Sequence, residues 1–383
     1  MNARLSPASA TTATTAPLVI ARVDAYALSL PMVKPVKMSF EEVKAADNLV
    51  VRIETAAGVV GWGEAASAPT MTGETVTGMA AAVRHLAPVL QGRDAAQPAA
   101  TMAAVNPYLY GNAGAKAAIE MALFDALGRA TGQPLHALLG RAQRSRIPLL
   151  RMVGTGKLDA DLAEAERSKA EGYVTYKIKV GIADPHTDAA RTRAVCEVLG
   201  PDVLVCADAN QAWSVDDAIT YVQAVADTSL AFFEQPIAAA DVDGMGRVAR
   251  ASRVPIGVDE GLHSLDDLRA HHAVGVKGCS LKTIKLGGVQ PVVDAGALCA
   301  TLGMHINLAC KIAESGIATA AMLHLAAVVP NIDWGVSLTS QYLTEDVVTG
   351  LPALERGHYT LPQGPGLGVT IDEDRIRRHA RAV

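Results

Sequence analysis

Three acidic residues stand at nearly equal intervals in the middle of the chain: Asp208 in VLVCADAN, Glu234 in AFFEQP and Asp259 in VPIGVDE. Each closes a short apolar run rich in Val, Ile, Phe or Leu, the pattern of a strand buried on both faces. The separations are 26 residues (208 to 234) and 25 (234 to 259), about one strand–helix–strand unit. In a parallel barrel such strand ends lie side by side on one rim. Three carboxylates there repel one another unless a cation sits between them. Oxygen-only donors suit a hard divalent ion, Mg²⁺ or Mn²⁺, better than zinc. Asn210, two residues after Asp208, is placed to support such a site.

Lysines flank the acids. Lys177 and Lys179 in YKIKVG share one strand face because side chains alternate, and CSLKTIKLGG carries Lys282 and Lys285. If the face of Lys177 and Lys179 is the barrel interior, burial is expected to lower their pKa towards neutrality, as a general base requires. Lys282 ends a strand 23 residues past Asp259 and, in an eightfold ring, lies across the mouth from Lys179. Two amines so opposed can remove a proton from one face of a carbon and return it to the other. Lys177 also reads as an ion-pair partner of the carboxylates, and Lys285, just beyond the strand, as structural.

The elements needed to position these groups are visible on either side. From about Leu18 to Gly140, three strand patterns (VIARVDAYAL, NLVVRIETAAG, VVGWGEA) precede helical stretches, indicating an antiparallel sheet in an α+β domain. The helix AGAKAAIEMALFDALGRATG has a C-cap signal in Gly132. After Arg146 strands and helices alternate: IPLLRMV, YVTYKIKV, DVLVCADA, LAFFEQP, VPIGVDE, GCSLKTI, HINLAC and NIDWGVSL are separated by amphipathic segments. Eight strands with seven or eight helices is the arithmetic of a TIM-like α/β barrel. The expected division is a disordered tail (1–16), an α+β capping domain (17–145), a barrel (146–350) and a C-terminal segment packing back on the cap (351–383).

Composition narrows the function classes. A net charge of −5 without a basic stripe argues against a nucleic-acid partner. No apolar run reaches bilayer length, and the Ala/Thr/Ser-rich start lacks the apolar core of a secretory signal. Five scattered cysteines suit a reducing compartment, so a cytoplasmic location is expected.

The set KIK, DAN, EQP, VDE and SLKTIKLGG, together with AKAAIEMALFD, ESGIATAAMLHLA and GPGLGV, resembles the enolase superfamily, specifically its muconate-lactonizing-enzyme subgroup. The resemblance implies a modified (β/α)7β barrel under an N-terminal cap. It implies Asp208, Glu234 and Asp259 as Mg²⁺ ligands (Mn²⁺ possible), Lys179 and Lys282 as an acid/base pair, and Lys177 as the partner tuning Lys179. It places Asn210, Glu260 and the acid Glu314 around the metal or substrate. The shared step is removal of a proton next to a substrate carboxylate to give an enediolate. Racemisation or epimerisation of an amino-acid derivative, or muconate-type cycloisomerisation, leads the outcomes. Dehydration of a hydroxy acid or hydroxyproline derivative, or an o-succinylbenzoate-synthase-like elimination, would use the same residues. A non-catalytic metal-dependent binding protein is the alternative of another class, and it predicts loss of residues that are all present here. The partner expected is a small carboxylate substrate, with a homo-oligomer (dimer or octamer) as the family habit.

Departures from the family pattern sharpen this. Where mandelate racemases use a His–Asp pair late in the barrel, this chain has Lys282, and His305 lies near the start of its strand. The Asp-x-Asp of dipeptide epimerases is missing from WGVSL, which disfavours a dipeptide. Trp334 offers either a cation–π face for an N-substituted amino acid or betaine, or core packing. Specificity loops are expected near Pro31–Phe40 and Ala68–Gly73, the latter (PTMTGET) resembling the lactonizing enzymes' own loop.

Overall fold

A computed structural model of the chain describes residues 17–37 and 42–382. The expected N-terminal tail and the Met38–Phe40 part of the first loop lie outside the described residues.

The N-terminal sheet is antiparallel in the order β1 (Ile20–Lys37), β2 (Glu42–Thr55), β3 (Val60–Ala66). Four helices follow: α1 (Val76–Leu90), α2 (Pro98–Val105), α3 (Ala113–Thr131) and α4 (Leu135–Leu139). Thr75 caps α1 by accepting from the Gly78 amide, and Gly132 ends α3 at φ +69°, the left-handed cap that glycine adopts freely. β1 runs further than its apolar alternation indicated. Val36 and Lys37 pair with Val43 and Glu42, so Pro31–Lys37 form a hairpin arm and not a loop.

The GWG of β3 has a steric reason. A Cβ on Gly63 would stand 2.0 Å from the Ala118 carbonyl oxygen, and one on Gly61 would stand 2.1 Å from that of Ala122. β3 therefore lies backbone-to-backbone against α3, while Trp62 on the opposite face stacks with Tyr26. Gly63→Ala should destabilise the protein by about 3 kcal/mol or more, because backbone cannot yield as a flexible side chain does. Chemical denaturation measures this, and a loss below about 1 kcal/mol would refute the close-packing account.

The second sheet is parallel and eight-stranded: β5 (Leu150–Val153), β6 (Thr175–Lys179), β7 (Leu204–Asp208), β8 (Leu230–Glu234), β9 (Ile256–Val258), β10 (Gly278–Leu281), β11 (His305–Ala309) and β12 (Val336–Ser337). A bridge between Leu149 and Val336 brings its ends together, giving a nearly closed barrel. Between the strands run α5 (Leu158–Ala170), α6 (Pro185–Leu199), α7 (Val215–Ala224), α8 (Val242–Ala251), α9 (Leu265–Ala273), the short α10 (Thr283–Leu286) with α11 (Val289–Leu302), and α12 (Gly316–Val328). α12 is buried along its whole length, between barrel and cap. IPLLRMV does not form one strand. Its first part, β4 (Arg146–Pro148), pairs antiparallel with His358–Thr360, and only β5 enters the barrel. The C-terminal helix α13 (Glu373–His379) lies by β1, where the Arg381 amide donates to the Ala27 carbonyl. Among the described residues no helix is long and apolar enough to cross a membrane.

Trp334 belongs to the barrel's floor. It stacks on Phe232 (ring centroids 4.0 Å apart, 3° between planes) and on His305 at 5.2 Å, in one cluster with Leu150 and Cys206. Gly257 and Gly278 make room for it, since a Cβ on either would meet its ring within 2.7 Å. The cation–π expectation for Trp334 is thus corrected: the ring is sandwiched at the N-terminal ends of the strands, opposite the rim where the acids lie. His305 shares that end and pairs with Asp333 at 2.5 Å.

Candidate active site

The strand register builds the rim. Lys179 on β6 lies beside Asp208 on β7, and Asp208 beside Glu234 on β8, so three charged residues form one row across adjacent strands. Glu234 pairs with Gly257 of β9, which puts Asp259 one inward-facing position further on. Lys282 follows β10, four strands from β6 in an eight-stranded ring and therefore across the barrel from Lys179. Gly154, following β5, lets the Lys179 stem pass: a Cβ there would stand 2.9 Å from Lys179 Cγ.

Lys177, Lys179, Asp208, Asn210, Asp259, Glu260 and Lys282 line one cavity at this rim. Its remaining wall is largely apolar, with Met71, Leu150, Met152, Ile312, Leu338 and Tyr342. Glu234 lies behind the lining, where it accepts from Lys177 Nζ (2.6 Å) and Ser280 Oγ (2.9 Å). Thr70 and Met71 of the Ala68–Gly73 turn reach the cavity from the cap. Pro31–Val36 do not line it; Met32 bridges to Leu343, next to the lining residue Tyr342.

Every carboxylate of the row is engaged by an ammonium. Lys179 Nζ donates to Asp208 (2.6 Å) and to Asn210 Oδ1 (2.7 Å), and Lys177 stands 3.5 Å from Asp208. Lys282 Nζ donates to Asp259 Oδ2 at 2.5 Å and Lys285 Nζ to Asp259 Oδ1 at 2.6 Å. Asn210 also donates to Glu260 Oε1 at 2.9 Å, linking that acid to Lys179. Its φ of +44° holds it in the left-handed region that asparagine tolerates.

These pairs correct the expected lysine electrostatics. Burial works to lower Lys177, but Glu234 and Asp208 overcome it and hold the amine well above its ordinary pKa. Lys282 is raised in the same way: Asp259 and Glu260 outweigh its burial. The amine pushed down is Lys285, where burial exceeds the attraction of Asp259. Asp259, although buried, is held far below the carboxylate range by Lys282 and Lys285. Glu260 is pushed up to about 7 by burial and by Asp259 and Asp208. Its Oε2 is buried without a hydrogen-bond partner.

As the side chains are placed, no three His, Cys, Asp or Glu groups among the described residues stand together to hold an ion, because each acid turns to a lysine. The donor set nevertheless fits a hard divalent cation. It is all oxygen, buried, on three adjacent strand ends, with the unpartnered Glu260 Oε2 beside it.

Glu314 is not in the cavity wall. It lies behind Cys310 and Lys311, accepting from the Lys311 amide (3.1 Å), with burial raising its pKa. Lys285, read from the sequence as structural, is absent from the cavity lining and pairs with Asp259 from α10. Sequence reasoning passed over Lys311 and Tyr342, which no motif marks, although both line the cavity.

Away from the cavity, His136 of α4 and His324 of α12 face each other, Nδ1 to Nδ1 at 3.1 Å, with His324 Nε2 at 3.1 Å from the Leu367 carbonyl. The carbonyl takes the Nε2 proton, so His324 Nδ1 is the acceptor of that pair. Burial lowers His324 from 6.5 to about 4. The folded state thus binds this proton less readily than the unfolded chain. The stability involved is complete above pH 6.5 and lost as pH falls towards 4, on the order of 3 kcal/mol. His324→Gln should flatten the acid limb of a denaturation-versus-pH curve over that window; an unchanged slope would refute the assignment.

Two family models match the chain. "Mandelate racemase / muconate lactonizing enzyme, N-terminal domain" covers residues 22–140, and "Enolase C-terminal domain-like" covers 160–375. Chloromuconate cycloisomerase of Cupriavidus pinatubonensis is 32% identical over 345 residues, 88% of this chain and 92% of its own. L-Ala-D/L-Glu epimerase of Bacillus subtilis is 31% identical over 359 residues, 91% of this chain and 96% of its own. The structure of muconate lactonizing enzyme from Pseudomonas fluorescens complexed with muconolactone superposes with a TM-score of 0.91 at 27% identity, covering 96% of this chain and 100% of that one.

Proposed function

The chain belongs to the enolase superfamily, in its muconate-lactonizing-enzyme subgroup, and is an isomerase; from that premise we propose that it moves the proton next to the carboxylate of a small substrate, with Mg²⁺ as cofactor. The observation that carries this reading is the pair Lys179 and Lys282, on opposite strands of the barrel and lining one cavity with Asp208, Asp259 and Glu260.

Asp208, Glu234 and Asp259 would hold the cation. Bound there, Mg²⁺ or Mn²⁺ supplies the positive charge that offsets the second negative charge of an enediolate, worth several kcal/mol. One lysine, as the free amine, accepts the α-proton while the C–H electron pair passes into the carboxylate. The opposite lysine, as ammonium, delivers a proton to the other face. Asn210 orients Lys179, and Lys177 holds Glu234. The apolar wall excludes water around the acidic carbon. Racemisation or epimerisation uses both lysines. Cycloisomerisation needs one, as the acid that protonates the enolate after the ring has closed. The names of the relatives support both outcomes.

The test is incubation in D₂O with Mg²⁺ and, separately, cis,cis-muconate, an N-acylated α-amino acid and L-Ala-L-Glu, read by mass spectrometry. Deuterium next to the carboxylate is expected with muconate or the acyl amino acid, and its loss on chelation is expected with it. No exchange with any of the three would sink the proposed substrate classes. Exchange that survives chelation would sink the metal assignment.

A further inference from the structure

Glu64, near the end of β3, is fully buried, and its carboxylate gathers four donors. Oε1 accepts from Asn48 Nδ2 and the Ser315 amide, both at 2.8 Å. Oε2 accepts from Ser315 Oγ (2.7 Å) and the Ala318 amide (2.9 Å). The two amides belong to the first turn of α12, where the helix leaves donors unmet. Asn48 adds a bond from the same amide group to the Ala313 carbonyl at 3.0 Å. The cap thereby grips residues 313–318 of the barrel. Burial and the neighbouring Glu314 push the Glu64 carboxyl up, while the Ser315 and Ala318 donors pull it down.

Both walls of the cavity start from this point. Immediately before the gripped segment, Cys310, Lys311 and Ile312 line the cavity. Thr339 ties them from the barrel side, donating to the Lys311 carbonyl (2.7 Å) and accepting from the Glu314 amide (3.1 Å). In the other direction, β3 leads into the turn carrying Thr70 and Met71, whose sulfur lies 3.8 Å from Lys282 Nζ.

We propose that Glu64 is a positioning residue that fixes the cap wall (Thr70, Met71) against the barrel wall (Cys310–Ile312), and so sets how closely the cavity holds its substrate. This rests on the reading of the cavity as the substrate site. A glutamine at this position brings an NH₂ group that cannot accept, so at least one of the four donors faces another donor.

Glu64→Gln and, in case that variant does not fold, Asn48→Ala are compared with the Mg²⁺-loaded wild type. The probe is whichever of cis,cis-muconate and the N-acyl amino acid the wild type deuterates. KM is expected to rise about tenfold with kcat falling less, since a wall displaced by about 1 Å misplaces the substrate. Amide exchange of 310–318 should quicken at least about tenfold, and that of 67–73 with it, while barrel peptides away from the junction stay as in wild type. A merely structural role would lower the melting temperature and leave KM, kcat and the exchange of 310–318 at wild-type values; that result overturns the proposal. If the wild type deuterates neither probe, the substrate-site reading fails by itself, and the amide-exchange arm still decides for or against Glu64.

Discussion

Lys179→Ala is expected to keep the fold and to lose proton exchange next to the substrate carboxylate by about 10³-fold or more, the scale of a removed general acid–base group. The fold should survive because Lys179 is the most exposed of the paired amines at the rim (side chain 13%), and Asp208 keeps Lys177 at 3.5 Å. Deuterium incorporation measured by mass spectrometry, with circular dichroism as the control, checks both parts. In a racemisation the loss should be confined to one enantiomer, with Lys282→Ala silencing the other. Exchange at the wild-type rate in folded Lys179→Ala would remove Lys179 from the chemistry.

Asp259→Asn should be costly in a second way. The Asp259 carboxylate meets Lys282 and Lys285, both buried, at 2.5 and 2.6 Å, and its backbone carbonyl also accepts from Lys285. Replacing the carboxylate by an amide removes the nearest counter-charge of two buried amines. The expected loss is about 3–5 kcal/mol of stability, together with the activity. Lys285→Met removes one of those charges, so the double variant should recover part of the stability and none of the activity. Urea denaturation of the two single variants and the double variant tests this as a cycle. An Asp259→Asn protein as stable as wild type would show that these pairs contribute nothing net.

The contrast between these variants marks what could be read in advance. Eight apolar runs, the acidic ends of three of them and the spacing between them were legible because a strand's burial and its alternation are local properties. For the same reason the helix cap at Gly132 was legible. The KIK pair of lysines and the far lysine Lys282 followed from periodicity and from counting strands around a ring. The pairing of Lys285 with Asp259 was not legible, since α10 turns the lysine back under Asp259 only once β9 and β10 pair. Trp334 lies inside the strand candidate NIDWGVSL but two residues before β12 itself, and only the space left by Gly257 and Gly278, on two other strands, turns it into the floor.

Sequence alone therefore determined the superfamily, the barrel under its cap, and which acids and amines stand at strand ends. Tertiary structure decided which charges meet. Burial by itself lowers a lysine, yet Lys177 and Lys282 are raised because carboxylates from neighbouring strands lie against them. It also decided that Glu64, far from every barrel motif, grips the start of α12. The physical reason is common to both. Register and side-chain alternation travel along the chain, whereas the Coulomb energy of a buried pair depends on distances between segments that meet only when the barrel closes and the cap docks.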